Sequence, residues 1–234
     1  AHIAQRVAEA GQDPLLTVVS LTFLVVFGLK AGLLLFFWLP GSYSVPPTAV
    51  QALFAALLTK VGMYALFRTF MLMFPLQPEI THTVIGVMAG VTIIAGCMGA
   101  LAGRDVRTIA TYNVIISVGF ILVALAIGTE SAMAGAVYYL VHDILGKAFL
   151  FLLIGTMVLV TGEIVVKNMN GLIRIYPLFG WLFFIMMCAL VGIPPLSGFI
   201  GKVLIGQGAV ETESYVLLAL AFGSSIIVMY SLLR

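Results

Sequence analysis

The sequence has 234 residues, of which 62% are hydrophobic and 9% charged, with a formal net charge of +2 and a mean hydropathy of +1.21. This composition is typical of polytopic α-helical membrane proteins and excludes an ordinary soluble domain. The small net charge argues against nucleic acid as a partner, and continuous apolar runs of about 20 residues argue against a β-barrel.

Neither the cysteines nor any short motif indicates a catalytic or metal site. Cys97 and Cys188 fall inside apolar runs, so we interpret them as packing residues. The sequence contains no nucleotide-binding, zinc-binding or nucleophile-elbow motif. We therefore expect no catalytic residue, no cofactor, no bound metal and no enzyme. The chain begins AHIAQRVAEAGQDP without an initiator Met, which predicts a piece of a longer protein.

The apolar runs predict an all-α polytopic membrane protein. Residues 1–14 are expected to form an interfacial helix or loop. About seven transmembrane spans follow, separated by connections that contain turn residues. We place these spans at residues 15–39, 48–73, 82–102, 110–128, 133–161, 178–207 and 214–234.

The charges of the connections predict the orientation. If the spans alternate in direction, the connections on one side of the membrane contain five basic residues. The other side has two basic residues, near the ends of spans, together with several acidic residues. Lys and Arg are enriched in cytoplasmic connections, so the first side should be cytoplasmic. Its basic residues are Arg104, Arg107, Lys167, Arg174 and Arg234.

Lysine and arginine are distributed differently. All six arginines lie in connections or near the ends of spans, whereas four of the five lysines lie within spans: Lys30, Lys60, Lys147 and Lys202. Arg effectively never releases its proton, but a lysine removed from water can exchange protons near neutral pH. Cations that only hold helices together would give no reason to exclude Arg. The pattern therefore favours a proton path through the membrane.

Two of these lysines lie in the first two spans. Lys30 stands between Gly28 and Gly32, a spacing that weakens the helix locally and favours a break. The alternative is an ordinary close-packing face with a lysine that extends to the membrane surface. Lys60 lies at the centre of the second span, too deep to reach the headgroups, whereas Arg68 is close enough to the end of the span.

The fifth predicted span carries the densest group of polar residues. His142, Asp143 and Lys147 lie near the middle of the apolar run at 133–161, where each lone charge costs at least about 2.5 kcal/mol. Asp143 and Lys147 are four residues apart with the acid first, the favourable order for a pair on one helix face. We expect a functional site here. The alternative is an ion pair that only locks helix packing.

The sixth predicted span must be discontinuous. Pro194 and Pro195 cannot donate backbone hydrogen bonds, and a glycine stands on each side of them. Broken helices of this kind mark ion sites in transporters, and Lys202 follows four residues after Gly198. Ser197 is a candidate cap for the second half-helix. The alternative is a proline kink without a transport role.

The chain resembles the antiporter-like membrane subunits shared by Mrp-type Na⁺/H⁺ antiporters and respiratory complex I. Three segments carry the resemblance: KAGLLLFFWLPGSYSVPPTAVQALFAALLTKVGMYALFR (30–68), YYLVHDILGKAFLF (138–151) and GIPPLSGFIGK (192–202). Within that family the chain is most similar to the Mrp type. The largest complex I subunit tends to have a histidine-containing segment that is absent from residues 48–59.

The resemblance implies a 14-helix fold built from two inverted five-helix repeats, of which this chain contains the second half. Residues 15–73 would then be the last two helices of the first repeat, and 82–234 the complete second repeat. A proton path would include Lys30, Lys60 as the central lysine, His142 and Lys147 as the relay, and Lys202 as the exit. The glutamate that partners the first lysine in the family lies on the fifth helix, which this chain does not contain.

The function implied by the resemblance is that of a proton-translocating subunit of a multisubunit Na⁺/H⁺ antiporter. Its expected partners are H⁺, Na⁺, the lipid bilayer and other antiporter subunits, and its expected location is the bacterial cytoplasmic membrane. The same intramembrane residues would serve a redox-driven proton pump of the complex I or membrane-bound hydrogenase type, which is the alternative. A purely structural membrane scaffold is a third possibility.

Overall fold

The computed structural model describes residue 7 and residues 14–73, 78–169 and 171–234. The interfacial segment predicted at 1–14 lies outside these ranges except for its residues 7 and 14. The helices, in chain order, are α1 (Pro14–Ala31), α2 (Trp38–Ser44), α3 (Thr48–Leu53), α4 (Thr59–Arg68), α5 (Pro78–Ala102), α6 (Val106–Ile127), α7 (Glu130–Thr161), α8 (Pro177–Val191), α9 (Ser197–Glu211) and α10 (Tyr215–Leu233).

Shorter helical turns connect some of these helices. A π-helical turn, Phe54–Leu58, joins α3 to α4, and a second one, Thr69–Met73, follows α4. The connection between α7 and α8 contains a 3₁₀ turn at Val166–Asn168 and a single α-turn at Leu172–Ile175.

Within the described residues, five helices are long and apolar enough to cross a membrane. They are Thr48–Met71, Ile80–Ala102, Val106–Ile127, Glu130–Thr161 and Tyr215–Leu233. Two further apolar helices, Leu15–Ala31 and Pro177–Val191, are shorter. These two belong to the spans predicted at 15–39 and 178–207, for which the glycines and prolines predict breaks. Five of the predicted spans thus correspond to helices of spanning length, while the count of seven spans stays a prediction.

The first break follows directly after Lys30. α1 ends at Ala31 because Gly32 adopts a left-handed backbone conformation (φ +78°), which glycine tolerates without steric cost. A Cβ atom at Gly28 would meet no neighbouring atom closer than 3.8 Å, so the two glycines do not form a close-packing face. The close approach is made instead by Gly62 of α4, where a Cβ atom would lie 2.9 Å from the Lys30 carbonyl carbon.

The second break separates α8 from α9. α8 ends at Val191, Gly192 has a left-handed conformation (φ +83°), and α9 starts at Ser197 after the two prolines. Gly198 lies so close to α7 that a Cβ atom there would be 2.9 Å from His142 Nε2. The interruption therefore brings the start of α9 against the middle of α7.

The centre of the bundle is α6, which is almost entirely buried. It packs against α5 through Gly119, where a Cβ atom would lie 2.9 Å from the Ala89 carbonyl oxygen. Helix α7 packs against α9 through Gly135 and Gly201. Outward-facing side chains on α7, including Val141 and Leu145, are exposed and apolar, as expected for a surface that meets lipid.

The connections that carry the predicted cytoplasmic charges meet at one end of the bundle. Asp105 and Val165 form an antiparallel bridge, in which the Val166 amide donates to the Arg104 carbonyl at 3.1 Å. The Arg234 guanidinium donates to the carbonyls at the end of α5 and in the following connection. The grouping of these basic residues agrees with the predicted sidedness, while their assignment to the cytoplasm stays a prediction.

The packing of α5 on α6 predicts that Gly119→Ala destabilises the fold. The added methyl group would meet the Ala89 carbonyl and the Ile93 backbone, neither of which can move without shifting α5. We expect a loss of about 1–3 kcal/mol in the free energy of unfolding. The measurement is the thermal unfolding midpoint of the complete protein in detergent.

Gly223→Ala is the matched control, because a Cβ atom at that position of α10 meets no atom within 4 Å. This change should leave the midpoint unchanged or raise it, since alanine favours helix over glycine. Equal midpoints for the two variants would contradict the tight α5–α6 contact.

Candidate functional site: a buried cluster of lysines, histidine and aspartate

Three of the four lysines predicted within spans are buried. The exposed fraction is 3% for Lys60, 2% for Lys147 and 4% for Lys202. Asp143 is fully buried and His142 is 8% exposed. Each of these groups lies within a helix of the bundle, where an unpartnered charge would be costly. Their hydrogen bonds and ion pairs therefore define the site.

Asp143 is the carboxylate around which the site is built. Its Oδ2 lies 2.8 Å from Lys60 Nζ on α4 and accepts a hydrogen bond of 3.0 Å from the Ser117 hydroxyl on α6. Its Oδ1 lies 4.0 Å from Lys147 Nζ. One acid thus joins three helices and faces two lysines.

Asp143 has two lysine contacts, and the predicted one, with Lys147 on α7, is longer than the one with Lys60. The four-residue spacing does place both groups on one helix face, but the Lys147 ammonium donates to the Asn113 carbonyl of α6 at 3.0 Å. That bond holds Nζ away from the carboxylate, and the closer ion pair is made across helices by Lys60.

Lys60 has a second acceptor in the π-helical turn that precedes its own helix. Its Nζ donates to the Ala55 carbonyl oxygen at 2.8 Å. Ala55 lies in the π-helical turn Phe54–Leu58, and π-helical turns occur frequently at functional sites. Within the described residues, the carboxylate partner of Lys60 is Asp143.

His142 connects α7 to the second break. Its Nδ1 lies 2.9 Å from the Ser197 hydroxyl oxygen. Its Nε2 is buried and has no hydrogen-bond partner among the described residues. The expected role of Ser197 as a helix cap is wrong, because α9 already begins at Ser197 and its N-cap residue, Leu196, makes no side-chain cap. A residue inside the helix is not in the cap position, and the Ser197 hydroxyl contacts the imidazole instead.

Lys202 bridges the second break. Its Nζ donates to the Val191 carbonyl, at the end of α8, at 2.7 Å and to the Ser225 hydroxyl on α10 at 2.6 Å. The rings of Phe120 and Tyr139 lie with their centroids 5.2 Å and 5.7 Å from the ammonium. Such distances allow cation–π attraction.

Lys30 is not part of this cluster. Its side chain is exposed in this chain, and it forms no ion pair among the described residues. Its backbone lies against Gly62, two residues from Lys60 in sequence, so the end of α1 is close to the helix that carries the central lysine.

Sequence reasoning did not identify the polar residues that surround the lysines. Asn113 and Ser117 lie one turn apart on α6, in the span at 110–128, to which no role was assigned. Buried polar residues in an apolar helix are themselves a signal, because each must find a partner. Ser225 belongs to the same class. Asn113 additionally donates from Nδ2 to the Ser231 hydroxyl on α10 at 3.1 Å.

Comparison with known proteins places the chain in a family of membrane subunits. A family model described as NADH:quinone oxidoreductase/Mrp antiporter, TM, matches residues 2–228. An Na(+)/H(+) antiporter subunit of Bacillus subtilis is 46% identical over 235 aligned positions, which cover 100% of this chain and 48% of that protein. The chain thus spans about half the length of this curated relative.

Several solved structures share the fold, among them chains of two membrane complexes. A chain in the structure of the Mrp complex from Dietzia sp. superposes with a TM-score of 0.89 at 29% identity, covering 95% of this chain and 42% of that one. A chain of the membrane-bound sulfane sulfur reductase, an archaeal respiratory membrane complex, gives a TM-score of 0.91 at 30% identity, covering 99% and 40%. The helical fold, the interrupted helices and the family match lead to one assignment. The chain belongs to the NADH:quinone oxidoreductase/Mrp antiporter transmembrane family.

Proposed function

We propose that the chain is the second half of a proton-translocating membrane subunit in a multisubunit Na⁺/H⁺ antiporter of the bacterial cytoplasmic membrane. The observation that carries this proposal is the buried group in which Asp143 faces both Lys60 and Lys147. Charges at such depth are costly, and ionisable residues within membrane spans mark ion and proton pathways. The identity to the Bacillus subtilis Na(+)/H(+) antiporter subunit supports the antiporter class. The protein would be a secondary transporter and not an enzyme.

Competition for one carboxylate provides the coupling between proton sites. Two unit charges about 4 Å apart interact by about 4 kcal/mol at an effective dielectric constant of about 20. When Lys147 gains a proton, it competes with Lys60 for the negative charge of Asp143 and thereby weakens the hold on the proton of Lys60. Loss of that proton has the opposite effect. The charge state of each lysine thus biases that of the other.

The proposed path continues from this group to the second break. His142 is adjacent to Asp143 in sequence and contacts Ser197 at the start of α9. An imidazole can accept a proton on one nitrogen and release one from the other, which suits it to a relay. Lys202 lies beyond it as the proposed exit. Lys30 is proposed as the entry from the first repeat, with residues 15–73 and 82–234 as parts of the two repeats.

The partners proposed for the complete protein are H⁺, Na⁺, lipid and the other subunits of an antiporter assembly. The alternative is a redox-driven proton pump. One observation favours it: the fold matches the respiratory sulfane sulfur reductase as well as it matches the Mrp complex, at 30% and 29% identity. We nevertheless favour antiport, because the chain is 46% identical to an Na(+)/H(+) antiporter subunit. Co-purification with quinone-reducing, iron–sulfur subunits would reverse this choice.

Lys60→Ala in the complete assembled complex should abolish Na⁺-dependent proton exchange, because the central amine of the path is lost. Exchange is measured in inverted membrane vesicles as the pH change that follows Na⁺ addition. Lys167→Ala, which removes a lysine from a connection, should leave exchange unchanged. Normal exchange in the Lys60 variant would remove Lys60 from the path. Unimpaired exchange with Gln at both Lys60 and Lys202 would support a structural scaffold instead.

Asp143→Asn should destabilise the complex far more than Lys60→Gln. The first change leaves two buried amines without an acid, whereas the second leaves Asp143 opposite Lys147. Removing one partner of a buried ion pair typically costs about 3–5 kcal/mol. The measurements are the amount of assembled complex in the membrane and its thermal unfolding midpoint. Equal losses for both variants would contradict the sharing of one acid by two lysines.

A further inference from the structure

Lys202 differs from the other two buried lysines in its partners. Lys60 and Lys147 face Asp143, whereas no carboxylate lies within ion-pair distance of Lys202 among the described residues. Its two hydrogen-bond acceptors are neutral: the Val191 carbonyl and the Ser225 hydroxyl. The groups in direct contact with the Lys202 ammonium are therefore these two oxygens and the faces of the Phe120 and Tyr139 rings, while the charges of Lys147 and Asp143 act on it at longer range.

The two acceptors come from different parts of the fold. Val191 is the last residue of α8, where the helix stops and carbonyl groups lack helical donors. Ser225 lies on α10, which approaches α9 closely at Gly206, where a Cβ atom would be 3.1 Å from the Phe222 ring. Lys202 on α9 thus connects the end of α8, on the other side of the break, to α10.

We propose that Ser225 is a positioning residue for proton transfer at Lys202. Its hydroxyl accepts a hydrogen bond from the ammonium, stabilises the protonated amine and holds it beside the break. This inference rests on the proposed function, because it matters only if Lys202 releases and regains protons. Ser225 is the single side-chain oxygen that receives a hydrogen bond from Lys202 within the described part of the chain.

The neighbouring residue shows that a buried serine on α10 need not have this role. Ser224 is 3% exposed, and its hydroxyl donates to the Ala221 carbonyl of its own helix at 2.6 Å. It therefore satisfies itself locally, as serine in membrane helices commonly does. The two serines are adjacent, have the same chemistry and are both buried, so they form a matched pair for an experiment.

The test compares Ser225→Ala, Ser225→Thr and Ser224→Ala in the complete antiporter complex. Na⁺-dependent exchange is measured in inverted vesicles over a series of pH values. Without the Ser225 hydroxyl the ammonium loses an acceptor, so Lys202 should lose its proton at lower pH. A hydrogen bond to a charged group is worth enough to move the alkaline limb of the profile by about one pH unit towards acid. Ser225→Thr keeps a hydroxyl and should restore the profile, and Ser224→Ala should match the unmodified complex.

Several outcomes would overturn the inference. They are a Ser225→Ala profile that coincides with that of the unmodified complex, an equal shift for Ser224→Ala, or no restoration by Ser225→Thr. If Ser225→Ala fails to assemble, Ser225→Cys serves in its place, because a thiol is a weak acceptor and should give the same shift. If Lys60→Ala and Lys202→Gln abolish exchange while Ser225→Ala has no effect, only this inference fails. Normal exchange in the two lysine variants would instead refute the proposed function.

Discussion

The structure depends on one carboxylate that serves two amines. Asp143 is fully buried, and its two oxygens face Lys60 on α4 and Lys147 on its own helix, with the Ser117 hydroxyl completing the contacts. Bringing these groups together requires three helices to meet at one depth. Because taking charges out of water costs several kcal/mol per ion, such a group is poor as a source of stability. It is better understood as an arrangement in which a small change in charge has a large effect on its neighbours.

The two breaks place their lysines differently. At the second break, α7 and α10 cover Lys202, so that its ammonium is buried between the half-helices and an aromatic pair. At the first, α1 ends beside Lys30, whose side chain stays exposed. This chain covers about half of its relative's length. In the proposed repeat arrangement, α10 corresponds to the span at 48–73 of this chain, whereas the helix that corresponds to α7 belongs to the other half.

Much of the fold could be predicted from composition and from helix breakers, since apolar runs set the spans, the Pro194–Pro195 pair cannot continue a helix, and Gly32 favours a break without requiring one. Position within an apolar run correctly indicated burial for Lys60, Lys147 and Lys202, but not for Lys30, whose side chain is exposed in this chain. The hydrogen-bond and ion-pair partners of these lysines could not be predicted. The four-residue spacing places Asp143 and Lys147 on one helix face. Only the packing of α4 and α6 decides that Lys60, and not Lys147, makes the shorter contact with the Asp143 carboxylate. Likewise, only the packing of α9 against α7 decides that the Ser197 hydroxyl contacts His142.

Each buried amine also donates a hydrogen bond to a main-chain carbonyl oxygen: Lys60 to Ala55, Lys147 to Asn113 and Lys202 to Val191. A peptide oxygen carries no net charge, and it accepts a hydrogen bond both from an ammonium and, more weakly, from a neutral amine. A carboxylate, in contrast, loses most of its attraction once the amine is neutral. In the proposed function, these backbone bonds would keep each nitrogen in place when its amine loses its charge, so that no rearrangement of the side chain would have to precede the arrival of the next proton.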